Sequence, residues 1–323
     1  MKPVYFERAI FLGWYCSKRD CSFCYMSTIK HREKIVQKFA RRTTESILAE
    51  VILCRILGWN LGFISGGHNL YKTEDFKELL NKINIVSGKR LWVNIGALTK
   101  EELIEFKPYI KGVVGSIETI NSKIHSIACP SKPIEPFEKM FDEARKLKIK
   151  SAMTIILGLG ETINDFELLK EFIKKNHIMK IHFYGLNPQK NTVFENARPP
   201  TAEYQAEWIK KTRKEFPNMD IQCGIWLDRA EYISTLLNSG ADSISKFPAI
   251  KKFGSREAKI IEDQAKKAGR NFKGTLTRLP NINIDKELKN LDIKEELKNK
   301  VKVKLSQYIK TLSNTNKYKK EKL

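Results

Sequence analysis

The chain has 323 residues, of which 41% are hydrophobic and 10% aromatic. That is enough to bury a core in one large domain or two small ones, and it excludes a disordered chain. No apolar run approaches the roughly 18 to 20 residues that span a bilayer, and the start MKPVYFERAI lacks the apolar segment of a signal peptide, so a soluble, cytoplasmic protein without a membrane partner is expected. Lys and Arg outnumber Asp and Glu by 22, a field that would attract nucleic acid, an anionic cofactor or an acidic protein.

In chain order, strand-like stretches fall at Ala9 to Tyr15, Asn60 to Ser65, Arg90 to Gly96, Gly112 to Glu118, Ser151 to Gly158, Lys180 to Leu186, Ile221 to Trp226 and Ser243 to Phe247. Between them lie amphipathic segments such as Thr43 to Leu57 and Glu135 to Lys148, with apolar residues at i, i+3 and i+4. Thr43 and Thr73 are expected to cap helices. The alternation predicts an α/β protein, a (β/α)8 TIM-type barrel over residues 1–275, whose functional groups gather at the C-terminal ends of the strands. A Lys/Glu/Leu-rich stretch over 276–323 predicts a basic C-terminal helical extension and tail. From Lys286 onward it carries twelve Lys against five acids and ends in NTNKYKKEKL, read as frayed.

Three of the six cysteines stand in CSKRDCSFC, Cys16 to Cys24, directly after the first predicted strand. The C-x4-C-x2-C spacing can wrap one inorganic cluster, yet it supplies three thiolates where a closed site takes four, which leaves one position open. A zinc site completed by His31, with affinity for nucleic acid, is the alternative of another class.

Cys16, Cys21 and Cys24, with Phe23 before the last, resemble the radical S-adenosylmethionine (SAM) superfamily, and specifically its biotin synthase-like and lipoyl synthase-like members. Most members have three residues between the first two cysteines, where this chain has four. The resemblance implies that the three cysteines hold a [4Fe-4S] cluster whose open iron chelates SAM. It continues with Ser65, Gly66 and Gly67 in FISGGHN, which match the glycine pair near the SAM amino group. Glu118 matches the acid at the fourth strand end that contacts SAM. Ile156, Gly158, Gly160 and Glu161 in TIILGLGETINDF match the segment around the adenosine. Alone, SGG is a turn, GLGET a glycine-rich loop and Glu118 a loop acid; their order along the barrel carries the match.

That chemistry, as the resemblance implies it, is reductive cleavage of SAM and abstraction of hydrogen from an unactivated carbon, with electrons from a reductant such as ferredoxin or flavodoxin. Asn94, His182, Tyr184 and Asn187 stand late on strands where a substrate would sit. The third and fourth strands lack the inner cysteines of biotin synthase proper. Cys129 and Cys223 could reach the cavity, and Cys54 reads as core. Sulfur insertion in lipoyl- or biotin-type cofactor biosynthesis is the expected reaction, with an acyl-carrier protein or a second radical SAM protein as partner. A hydrogenase-cofactor maturase and a tRNA-modifying enzyme are the alternatives, although no RNA-binding module is recognisable.

Overall fold

The computed structural model describes residues 1–31 and 40–317. In chain order the elements are β1 (Pro3–Phe11), α1 (Thr44–Ile56), β2 (Asn60–Ser65), α2 (Thr73–Ser87), β3 (Leu91–Asn94), α3 (Lys100–Phe106), β4 (Ile110–Glu118), α4 (Ser122–Ala128), α5 (Glu135–Lys146) and β5 (Lys150–Leu157). They continue with α6 (Phe166–Lys175), β6 (Ile178–Gly185), α7 (Ala202–Glu215), β7 (Asp220–Gly224), α8 (Ile233–Asn238), β8 (Ser243–Ser245), α9 (Arg256–Lys267), β9 (Asn271–Lys273), α10 (Ile284–Lys289) and α11 (Glu295–Lys317).

β1 to β8 pair in parallel in sequence order, and β1 closes the ring by pairing with both β2 (Glu7 opposite Asn60) and β8 (Tyr5 opposite Ser243). The result is a closed (β/α)8 barrel, as the alternation predicts. β9, too short to carry a periodic signal, adds to β1 through Pro3 and Asn271.

β1 starts and ends earlier than its hydrophobic stretch suggests. It is PVYFERAIF, with Glu7 turned into the barrel. A charged residue inside a strand is affordable here because Lys180 Nζ donates to Glu7 Oε1 (2.7 Å) and Oε2 (2.8 Å), and Asp220 takes a third bond at 2.9 Å. Above this pair, Gln222 Oε1 accepts from the Ser245 hydroxyl (2.7 Å) and the Tyr184 hydroxyl (3.2 Å), and lies 2.7 Å from His182 Nδ1. A polar ladder thus climbs the barrel interior toward its C-terminal mouth.

α1, which lies under α11, buries every residue from Ile47 to Cys54 and so is not the one-faced amphipathic helix its sequence suggests, whereas α2, α5, α6 and α9 each bury one stripe. α5 buries Phe137, Met140, Phe141 and Ala144, the i, i+3, i+4, i+7 spacing of an amphipathic helix. Capping differs from expectation. Thr43 occupies the N-cap of α1 without a side-chain bond, and Thr73 lies inside α2, whose N-cap is Lys72. A full capping box instead opens α3 between Thr99 and Glu102.

α11, a 23-residue helix lying on α1, runs through the Lys/Glu/Leu-rich stretch as expected and takes in residues 314–317 of the end expected to fray. Val301, Leu305 and Leu312 are fully buried there. The Tyr308 hydroxyl sits 2.9 Å from Ser46 Oγ and accepts from Arg42 (3.0 Å), while Arg42 and Arg8 each pair with the buried Glu50 at 2.7 Å. The last residues, 318–323, lie outside the described residues. Among the described residues no helix is long and apolar enough to cross a membrane.

Candidate active site

β1 delivers the cysteine loop to the barrel mouth, Cys16 standing five residues after Phe11 ends the strand, and Leu12 N–H still donates to the Ser65 carbonyl at 2.8 Å. Cys16, Cys21 and Cys24 are all partly buried. Backbone bonds clip the loop at both ends. Ser17 N–H donates to the His68 carbonyl (3.0 Å) after β2, and Ser22 donates to the Ala128 carbonyl at the end of α4 through its N–H (2.9 Å) and hydroxyl (3.3 Å). Cys24 N–H donates to the Cys21 carbonyl at 3.0 Å, leading into the short 3-10 turn Tyr25–His31. The His31 side chain lies outside the described residues.

Gly67 shows how tightly the loop is held. A Cβ there would lie 2.2 Å from the Tyr15 carbonyl oxygen and 2.6 Å from Cys16 Cβ, closer than any side chain can stand. The cysteine loop itself therefore demands glycine, a reason the sequence expectation of ligand approach did not include. Gly66 donates its N–H to the Asn94 carbonyl (3.0 Å), and Ser65 ends β2 in register with Asn94.

Glu118 caps β4 with φ +66°, a left-handed conformation uncommon for a residue other than glycine. Its carboxylate is buried and takes Lys132 Nζ at 2.8 Å and the Thr154 hydroxyl at 3.2 Å. Lys132 is 5% exposed, and although burial works against its charge, Glu118 holds its pKa above the ordinary lysine range. No motif pointed to Lys132 in so lysine-rich a chain. Its N–H donates to the Cys129 carbonyl at 3.0 Å, and Cys129, almost fully buried, packs with Cys21. The neighbouring Cys129 thiol and burial push the Cys21 thiol far up, and burial pushes Cys24 up to about 11.

The donor set fits an iron–sulfur cluster. Three thiols on one short loop stand near enough that Cys16 and Cys21 both perturb Cys24, and the Lys132 ammonium beside Cys21 favours the thiolate form that a metal requires. Among the described residues no three His, Cys, Asp or Glu side chains converge on one point, as a single ion needs. A cubane cluster asks for something different, one thiolate on each of three separate irons.

On the far side of the loop, Phe23 packs with Ile124, Leu159, Leu186 and Ile156. After β5, Gly158 (φ +98°) and Gly160 (φ +121°) turn the chain through conformations that favour glycine. Glu161 folds back on this loop: its carboxylate accepts from Gly158 N–H (2.7 Å), Leu159 N–H (2.9 Å) and the Tyr204 hydroxyl (3.2 Å). Burial raises its pKa against these bonds.

A cavity of about 720 Å³ opens beside the loop, within the range of small-molecule sites. Phe23, Cys24 and Ile156 form one wall; Trp14, Tyr25, Tyr184 and Trp226 make it aromatic; Asn187, Gln189 and Lys246 supply polar groups. Of the four polar residues expected there, Tyr184 and Asn187 line the cavity. Asn94 is instead tied to the Ser116 hydroxyl (2.7 Å), and His182 is buried in the barrel ladder with its pKa lowered to about 3 by burial and by Lys180. Trp226 and Lys246, from the ends of β7 and β8, were missed because short strands carry little pattern. Cys223 is fully buried, its Sγ 3.4 Å from the Ser243 carbonyl, and Cys54 is core. Neither Cys129 nor Cys223 lines the cavity.

A closed (β/α)8 barrel with a three-thiol loop and an apolar cavity at its C-terminal mouth defines a class of enzyme built around a bound cofactor. Residues 14–173 match the radical SAM superfamily. An uncharacterized protein of Methanocaldococcus jannaschii is 38% identical over 95% of this chain and 88% of its own length. The 7,8-didemethyl-8-hydroxy-5-deazariboflavin synthase of Archaeoglobus fulgidus is 31% identical over 51% of this chain, which spans about half (52%) of that relative. The solved structure of HydG, a maturase of the [FeFe]-hydrogenase, shares the fold with a TM-score of 0.65 at 13% identity, over 99% of this chain and 81% of that one. The chain belongs to the radical SAM superfamily, whose cofactors are a [4Fe-4S] cluster and SAM.

Proposed function

We propose that Cys16, Cys21 and Cys24 hold the cluster and that the enzyme takes hydrogen from an aliphatic carbon seated in the adjoining cavity, opening that carbon to sulfur insertion of the lipoyl or biotin type. The observation that carries this reading is the position of Cys24 and Phe23 in the wall of the 720 Å³ cavity, so that the cluster loop and the substrate space share a surface. When bound, the cluster and SAM supply one-electron cleavage of a sulfonium carbon–sulfur bond and the means to abstract hydrogen, with the electron coming from ferredoxin or flavodoxin.

The chain's own residues do the rest. Ser65, Gly66, Gly67 and Glu118 present backbone and carboxylate groups for the SAM amino acid end, and Ile156 with the Gly158 to Glu161 loop borders the adenosine. The aromatic walls exclude water from the reacting carbon. Since neither Cys129 nor Cys223 lines the cavity, the sulfur arrives from a partner protein or from sulfide. The net charge of +22 suits an acidic acyl carrier, because opposite fields speed encounter.

Anaerobic reconstituted enzyme is incubated with SAM, a strong reductant, a sulfide source and either an octanoyl-carrier peptide or free octanoate, alone and with partner radical SAM proteins. The expected result is stimulated release of 5′-deoxyadenosine and a mass gain of sulfur on one of these two acyl substrates. With neither, the sulfur-insertion reading falls. Hydrogen loss from a small heterocyclic precursor would replace it with the maturase reading, and a mass change in tRNA with RNA modification.

A further inference from the structure

Two strand ends at the barrel mouth hold a charged residue in the left-handed region, Glu118 after β4 (φ +66°) and Lys246 after β8 (φ +70°). Such a conformation is strained for a residue with a Cβ, and glycine would adopt it freely. At Glu118 the side chain is answered by Lys132. Lys246 forms no ion pair among the described residues: Glu118 and Cys24 favour its charge through space, and its ammonium rests over the rings of Tyr184 (4.4 Å to the centroid) and Trp226 (5.7 Å).

Those rings are themselves fixed. The Tyr184 hydroxyl donates to Gln222 Oε1 at 3.2 Å, and Trp226 Nε1–H donates to the Gly185 carbonyl at 2.8 Å. Ser245 and Phe247, on either side of Lys246, are buried, so the backbone has one way to run and the lysine is turned into the cavity. It is the only charged side chain among the described residues of that lining. Burial lowers its pKa against the attraction of Glu118 and Cys24.

We propose that Lys246 is the recognition site for a carboxylate on the substrate, which seats an aliphatic acid with its anionic end against β8 and its chain along the aromatic wall toward Cys24. One lysine flanked by the amides of Asn187 and Gln189 suits a singly charged carboxylate better than a phosphate, which draws several cationic donors. The proposal rests on the reading of this cavity as the substrate site, and within that reading it selects a free aliphatic acid over a carrier-bound acyl chain, whose carboxyl carbon is tied up in a thioester or amide.

The test measures binding of octanoate and of its neutral analogue octanamide to reconstituted enzyme, by quenching of tryptophan fluorescence, in wild type, Lys246→Met and Lys246→Arg. Iron content and SAM affinity are measured on the same samples. Wild type should prefer octanoate about tenfold or more, the size of one charge-assisted hydrogen bond. Lys246→Met should abolish the preference and Lys246→Arg should keep most of it. An equal affinity of wild type for both probes overturns the proposal, as does an undiminished preference in Lys246→Met. A tenfold loss of SAM affinity in Lys246→Met with the octanoate preference intact also overturns it, and assigns the lysine to the SAM carboxylate. Normal iron and SAM binding with no octanoate preference defeats this proposal alone; a wild type that binds neither iron nor SAM defeats the reading beneath it.

Discussion

The two sides of the barrel mouth are built on different plans. Around β1, β2 and β4 the groups press on one another: Gly67 lies against Cys16, Cys129 packs with Cys21, and Glu118 is already paired with Lys132. Around β6, β7 and β8 there is a cavity, with aromatic walls held by hydrogen bonds and one cation that has no ion-pair partner among the described residues. In the proposed reading the first side is a mould for a group of fixed shape, and the second a room for a substrate.

The largest effect that can break this contrast is expected at Gly67. Gly67→Val drives a side chain into the Tyr15 carbonyl and Cys16, so cluster loading should be lost while the barrel still unfolds cooperatively. Normal iron content in that variant would show that the mould is not close-packed.

Next in size is the buried ion pair. Lys132→Met strands Glu118 without its partner and should cost about 3–5 kcal/mol in denaturant unfolding. Adding Glu118→Gln should recover much of that loss, since it removes the buried charge. A Lys132→Met protein as stable as wild type would mean that the pair is solvated.

The smallest concerns the ladder beneath both sides. His182 is held neutral in the fold, with a pKa near 3, while the unfolded chain protonates it below about 6.5. Its stabilising contribution is therefore complete above pH 6.5 and declines as pH falls toward 3, by at most about 1.4 kcal/mol per pH unit. His182→Gln should flatten that acid slope in thermal melts across pH 7 to 4. An unchanged slope would remove His182 as its source.

The same contrast explains what could be read in advance. The mould was legible because its parts are short runs whose spacing is constrained by contact: CSKRDCSFC, SGG, GLGET. The barrel was legible from β/α alternation, and β1 was misplaced by its hydrophobic end because the Glu7–Lys180 pairing that admits a charge is 173 residues distant in sequence. The room was barely legible, since Tyr184, Trp226 and Lys246 come singly from three strands and no local pattern joins them. Lys132 was invisible for the same reason, its meaning lying wholly in Glu118 and Cys21.

The central claim is that the cysteine loop holds the cluster at the edge of the cavity. Iron and sulfide per chain, measured after anaerobic reconstitution of wild type and of the Cys16→Ala/Cys21→Ala/Cys24→Ala variant, test it most directly. The account predicts about four irons per wild-type chain and essentially none in the variant. Equal iron in both, or zinc in place of iron in wild type, would contradict it.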